Sequence, residues 1–199
     1  MKVNKFESKE DWLEARTGKI TGSTLKDIVV KRGTTPKIGF YQLIADRLAI
    51  PRQEGENVLE RGNLLEPEAI EKFTEVTGLK VNTDLVIWER DDNSNIAISP
   101  DGYIGETEAV EVKCLASARH IEALLTQKTP SEYEFQILQY FIVNEKLQKL
   151  YFCFYDPSLT VKQLHYIIIE RDDEKVEQYL EYQRKTLEEV ATVVNNLSF

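Results

Sequence analysis

Cysteine is nearly absent: 199 residues hold two, Cys114 and Cys153. Both lie in apolar text (VEVKCLA and LYFCFYD) with no Cys-x-x-Cys pair. Two such thiols build neither a disulfide framework nor a zinc site, and buried free thiols in a reducing compartment are expected. Nor can two cysteines hold an iron–sulfur cluster through four thiolates. Histidine is equally sparse. His120 and His165 share no ligand spacing, and His165 stands in an apolar strand where a structural or surface role is expected. No stretch approaches the roughly 20 apolar residues of a membrane helix. The opening MKVNKFESKEDW is charged throughout and lacks the apolar centre of a secretory signal. A cytoplasmic protein with no membrane partner is expected. A basic excess is missing too, since the formal net charge is -9, whereas nucleic-acid binders usually carry the opposite sign. Residues 170–199 hold eight acidic and four basic side chains, so part of that charge lies in one C-terminal stretch. There is no GxSxG elbow, and GKITGS lacks the Lys-Ser/Thr ending of a nucleotide loop, so no ATP site is expected.

What is present is a globular balance, 42% hydrophobic and 30% charged, without internal repeats or low-complexity linkers. One domain over residues 1–199 is expected. A short helix over 8–16 opens with Ser8 and Asp11 as a capping-box variant. GKITGS breaks it, and Ser23 is placed to cap the next helix, TLKDIVV. Residues 33–39 read as a loop. FYQLIADRLA reads as an amphipathic helix with Tyr41, Ile44, Ala45 and Leu48 on one stripe. A helix over 60–77 follows, closed by Gly78. The centre is β-rich: VNTDLVIWE, IAISPDGYIG and AVEVKCLA read as strands. Helices are expected over 117–126 and 132–144, then a strand pair (LYFCFYD and LHYIIIE) and a long amphipathic helix from Asp172 onward. The order predicts an α/β or α+β fold, with a mixed central β-sheet flanked by helices.

The segment SPDGYIGETEAVEVKC carries the chemistry. Strand side chains alternate faces, so Glu111 and Lys113 point one way and Val110 and Val112 the other. On a solvent face such a pair is an ion pair worth under about 1 kcal/mol. On a buried face it needs a partner or a metal, because burying two charges costs several kcal/mol each. Asp101 follows the preceding strand. Asp101 and Glu111, with the Val112 backbone carbonyl, supply the oxygen ligands that hard divalent cations prefer. A cation there would polarise a phosphate and acidify an attacking water. Lys113 would orient that water or stabilise developing charge, and both roles stay open.

Asp, a spacer and Glu-x-Lys resemble the signature of the PD-(D/E)xK nucleases, which implies a restriction-endonuclease-like core. More of the chain resembles the phage lambda exonuclease / YqaJ-like viral recombinase family: EARTGKITGS, RGNLLEPEAIEKFTEVTG, ISPDGYI, EVKC, the FQILQY helix, and YFCFYDP followed by LHYIIIERD. The resemblance implies a Mg²⁺-dependent enzyme, with Mn²⁺ able to substitute. It would digest one strand of linear double-stranded DNA 5′ to 3′ from a free end. It also implies a homotrimeric ring, a single-strand annealing protein as partner, and a phage or prophage recombination pathway in a bacterial cell. It adds Glu66 to the metal site, a helical acid that borders the apolar stripe of Ala69, Ile70 and Phe73. The other reading of Glu66 is a first-turn acid favoured by the helix dipole. Arg16, Ser23, Ser99 and Gln136 match the family's pocket for the terminal 5′-phosphate. Arg16 suits bidentate phosphate contacts, and Ser23 near a helix start suits anion binding. Gln139, one helical turn away, competes with Gln136 for that place. Trp12, Trp88 and the aromatic strand at 151–155 read as core, and Lys31, Arg32 and Lys37 as either backbone contacts or a solvated loop. Alternatives are another nuclease of the superfamily, such as a restriction-type endonuclease, and a non-catalytic DNA-end binding protein.

Overall fold

The computed structural model describes residues 1–31, 37, 39–40, 43–44, 57–115, 117–159 and 162–197. Arg32 and the Tyr41, Ala45 and Leu48 positions of the expected stripe lie outside them. Helix α1 (Lys9–Arg16) starts as expected, with the Ser8 hydroxyl accepting the Asp11 N–H at 3.1 Å. Helix α2 (Gly22–Ile28) corrects the capping assignment. Its N-cap is Thr21, whose N–H donates to Thr24 Oγ1 at 3.0 Å, so Ser23 sits in the first turn. Helix α3 (Asn57–Thr77) ends at Gly78, which takes φ 71°, a left-handed conformation that glycine adopts without strain.

The strands divide between two sheets. Strands β1 (Lys2–Lys5), β2 (Val86–Glu89) and β3 (Ala97–Ile98) form one antiparallel sheet in that order. The sequence reading has no counterpart for β1, and it begins β2 five residues too early. The second sheet is mixed: β4 (Gly102–Ile104), β5 (Glu108–Cys114), β6 (Lys149–Tyr155) and β7 (Leu164–Glu170), with β5 and β6 parallel and the other pairs antiparallel. A parallel pair needs a crossover. Here it runs through α4 (Ser117–Thr126), a 3-10 turn (Ser131–Tyr133) and α5 (Glu134–Val143). Helix α6 (Asp173–Leu197) closes the described chain.

Helix α5 decides the packing. Its sequence, EFQILQYFIV, is apolar on nearly every side, and such a helix must be buried. Eight of its ten residues are. It packs in a core with Ile20, Leu25, Trp88, Ile96, Ile98, Phe152 and Phe154. Helix α3 covers the opposite face of the second sheet, where Ala69, Ile70 and Phe73 meet Val110, Val112, Tyr151 and Cys153. The strand aromatics and Trp88 are therefore core, as expected. Buried polar groups in such a helix must find partners. Gln139, 0% exposed, donates to the carbonyls of Ile20 (3.0 Å) and Ala97 (3.2 Å) and exchanges hydrogen bonds with Gln183 of α6. Buried Arg90 donates to the Ile142 carbonyl, and bonds Asp92 at 2.7 Å and Glu145 at 2.5 Å. The first sheet is thereby tied to α5 and, through Gln183, to α6.

Candidate active site

Strand β5 carries the central pair. Its register with β6 sets Glu111 opposite Phe152 and Lys113 opposite Phe154. Both charges therefore project from the face that α5 covers. Glu111 is 2% exposed, and Lys113 Nζ stands 2.5 Å from its Oε1. Of the two placements the sequence left open, this is the buried one. The Gln136 amide also donates to Oε1, and the Tyr140 hydroxyl donates to Oε2.

Strand β4 ends its pairing with β5 at Gly102 opposite Val110. Beyond that point the Val112 N–H donates to Asp101 Oδ2 at 2.7 Å instead of to a neighbouring strand. The N–H and C=O of one strand residue face the same edge, so the Val112 carbonyl faces the Asp101 side. Glu66 comes from α3 into electrostatic reach of Glu111 and Lys113. Burial, then Glu111 and Glu66, push the Asp101 carboxyl well above its ordinary range. Burial and Glu111 raise Glu66 as well. Burial pulls the Lys113 ammonium down, but Glu111 and Asp101 outweigh it and Lys113 is held as a cation. Burial, followed by Glu111 and Asp101, pushes the Tyr140 phenol well up, so it remains a donor.

The structure thus gathers Asp101, Glu111, Lys113 and Glu66. Among the described residues no group of three or more His, Cys, Asp or Glu side chains is arranged to hold a metal ion. The Glu111 oxygens are taken by three protein donors and Asp101 by a backbone amide. The donor set is nonetheless three carboxylates with a free-edge carbonyl and no thiolate or imidazole, which is oxygen chemistry suited to a hard cation.

Of the four residues matched to a phosphate pocket, three surround one junction. Gly22, beside Ser23, abuts Ile98 and Gln136 so closely that an added Cβ would lie 2.4 Å from Ile98 Cδ1 and 2.9 Å from Gln136 Cγ. Ser99 follows Ile98, and its buried hydroxyl has no hydrogen-bond partner among the described residues. Ser23 is exposed, 3.2 Å from the Thr21 hydroxyl. Arg16 stands at the end of α1 with its guanidinium carbon 4.4 Å from the Trp12 ring centroid. Gln136 faces this junction and Glu111, whereas Gln139 is consumed by the core network. Lys31 lies over Phe135 and Lys37 donates to the Lys26 carbonyl, so both have local contacts. His120 bonds the Lys162 carbonyl, and His165 stacks on Phe154. Two aromatic residues escaped the sequence reading: Tyr140, and Tyr133, whose ring centroid is 5.2 Å from Lys113 Nζ. Their spacing places Tyr133, Gln136 and Tyr140 on one helical stripe, but which stripe meets Glu111 is decided by the packing of α5 on β5.

The family model described as YqaJ-like viral recombinase domain matches residues 11–146. The chain is similar to the crystal structure of an alkaline exonuclease, LHK-Exo, from Laribacter hongkongensis. That likeness is 28% identity over 94% of this chain and 95% of that one, with a TM-score of 0.83. The same exonuclease in complex with dAMP matches with a TM-score of 0.80. A phage-related exonuclease from Haemophilus somnus shares 16% identity over 90% of this chain and 96% of that one, at a TM-score of 0.64, a likeness of fold alone. No curated protein matches.

Proposed function

The chain belongs to the YqaJ-like viral recombinase family, and from that premise we propose that it is a DNA exonuclease using a divalent cation. Mg²⁺ is the expected ion, and Mn²⁺ can replace it. The substrate is one strand of linear double-stranded DNA, digested 5′ to 3′ from a free end. The observation that carries the reading is the buried Glu111 carboxylate on β5, paired with Lys113 and within electrostatic reach of Asp101 and Glu66. Three neighbouring carboxylates, two of them pushed up by burial and then by the charge of Glu111, favour a dication over an empty site.

Asp101, Glu111, Glu66 and the Val112 carbonyl are the residues that would hold the cation. Bound there, it would polarise the scissile phosphodiester and lower the pKa of the attacking water. Lys113 stays charged and sets a cation where negative charge develops on phosphate. Arg16, Ser23, Ser99 and Gln136 are assigned to the terminal 5′-phosphate. The Ser99 hydroxyl has a donor to spare, and the Gln136 amide can turn from Glu111 to the phosphate. Residues 1–199 act as one exonuclease domain, without ATP. Three copies form a ring on the duplex, and the exposed strand passes to a single-strand annealing protein during phage-type recombination in the bacterial cytoplasm.

End-labelled linear duplex, with and without a 5′-phosphate, and a closed circle would be incubated with Mg²⁺ or EDTA, with Lys113→Ala alongside. Mg²⁺-dependent loss of the 5′-phosphorylated linear DNA, an intact circle and an inactive variant are expected. Cutting of the circle would make the chain an endonuclease. End binding without any cleavage would leave a DNA-end binding protein.

A further inference from the structure

Three donors hold Glu111, and they are not equivalent. Lys113 and Gln136 share Oε1. Both are only partly buried, and both have a second task on the proposed function. Among the described residues, Oε2 is bonded by Tyr140 alone. Tyr140 is 0% exposed on the buried helix α5. Its ring packs edge-on against Trp88, with centroids 6.4 Å apart at 87°, and Trp88 packs in turn against Tyr103, 5.8 Å apart at 67°. A ring so enclosed has one rotor left, its hydroxyl hydrogen. Gln136 and Tyr140 lie one helical turn apart, and Tyr133 begins the same stripe over Lys113. One stripe running from the 3-10 turn into α5 therefore meets the Glu111–Lys113 pair at three points, and its innermost contact is the fully buried one.

We propose that Tyr140 is a positioning residue for Glu111. Its hydroxyl fixes Oε2, so that the carboxylate keeps one rotamer and presents Oε1 to the cation and the substrate. The inference rests on the reading of Glu111 as a metal-binding carboxylate. The plain alternative is a buried phenol that has merely found an acceptor, as buried tyrosines usually do. The two differ in what the hydroxyl controls. A hydrogen bond that orients a metal-binding side chain is commonly worth 10- to 100-fold in metal affinity or activity, whereas a packing contact changes only stability.

Tyr140→Phe removes the hydroxyl and keeps the ring. Mn²⁺ binding to the DNA-free protein would be followed by the electron paramagnetic resonance of free Mn²⁺. Steady-state kinetics on 5′-phosphorylated blunt duplex and the Tm in EDTA would accompany it, with Glu111→Gln in parallel. The expected result is a Kd for Mn²⁺ raised about tenfold or more and a kcat lowered with KM for DNA ends unchanged. A Tyr140→Phe protein with a lower Tm but wild-type Mn²⁺ affinity and kcat, beside a Glu111→Gln protein that binds Mn²⁺ poorly, would overturn the inference and leave the function standing. Wild-type Mn²⁺ binding by Glu111→Gln would overturn the reading of Glu111, and the role of Tyr140 with it.

Discussion

Replacing Lys113 by methionine removes a charge and keeps most of a side chain. In the metal-free protein that charge compensates a carboxylate that is 2% exposed and 2.5 Å away. Removing one partner of a buried pair costs about 3–5 kcal/mol because the other is left uncompensated. Gln136 and Tyr140 still donate to Glu111, and the Lys113 side chain is itself 21% exposed. The loss is therefore expected near the lower bound, about 3 kcal/mol. A divalent cation supplies the missing positive charge, so it should stabilise Lys113→Met more than wild type. A ligand bound only by the native state stabilises by RT ln(1 + [L]/Kd), and the variant's Kd is expected to fall. Urea unfolding in EDTA, then at rising Mn²⁺, measures both effects, with activity on duplex ends abolished throughout. A Lys113→Met protein as stable as wild type in EDTA, or one gaining no more than wild type from Mn²⁺, would refute the reasoning.

Other outcomes follow from the same contacts. The folded Asp101 carboxyl binds its proton more tightly than the unfolded one, chiefly through burial. The chelated protein should thus lose stability as pH climbs from about 4 through the raised value. Asp101→Asn should flatten that fall, and equal slopes of Tm against pH for the two proteins in EDTA would count against it. Gln139→Ala should cost roughly 1–3 kcal/mol by stranding the Ala97 carbonyl and Gln183, whereas the Ile20 carbonyl keeps the Ala97 N–H. Gln136→Ala should cost much less stability and instead weaken the preference for 5′-phosphorylated ends. Denaturant melts and cleavage of paired substrates separate the two, and a reversed pattern would exchange the roles of these glutamines. Gly22→Ala should destabilise by about 1–3 kcal/mol through overpacking on Ile98 and displace Gln136, lowering that same end preference.

The charged pair on β5 was legible because period-two alternation needs no knowledge of the fold. Val110 and Val112 share one face of the strand, so Glu111 and Lys113 must share the other. The spans of α4 and α5 were legible too, since their apolar residues follow the helical repeat. Strand β1 was not, because KVNK has one apolar side chain and gains its conformation from pairing with β2. The cap at Thr21 was hidden by Ser23 two positions on, a residue type with the higher capping propensity. Tyr140 was hidden for a deeper reason. A tyrosine inside an apolar helix reads as core, which it is. That its hydroxyl meets a carboxylate 29 positions earlier is a product of the β5–α5 packing and has no local signature.

The chain passes from the first sheet to the second within residues 99–101, the stretch that contains Ser99 and Asp101. Ser23 and Ser99, assigned to gripping the DNA end, stand with the first sheet, while Glu111 and Lys113 stand on the second. If grip and cut are divided in this way, the seam is a ruler. Its length decides how far from the held phosphate the strand is severed, and so whether each turn of the enzyme releases one nucleotide or more. Gln139 and Arg90, which bind the first sheet to α5, and Tyr140, which binds α5 to Glu111 of the second, would keep that ruler from stretching.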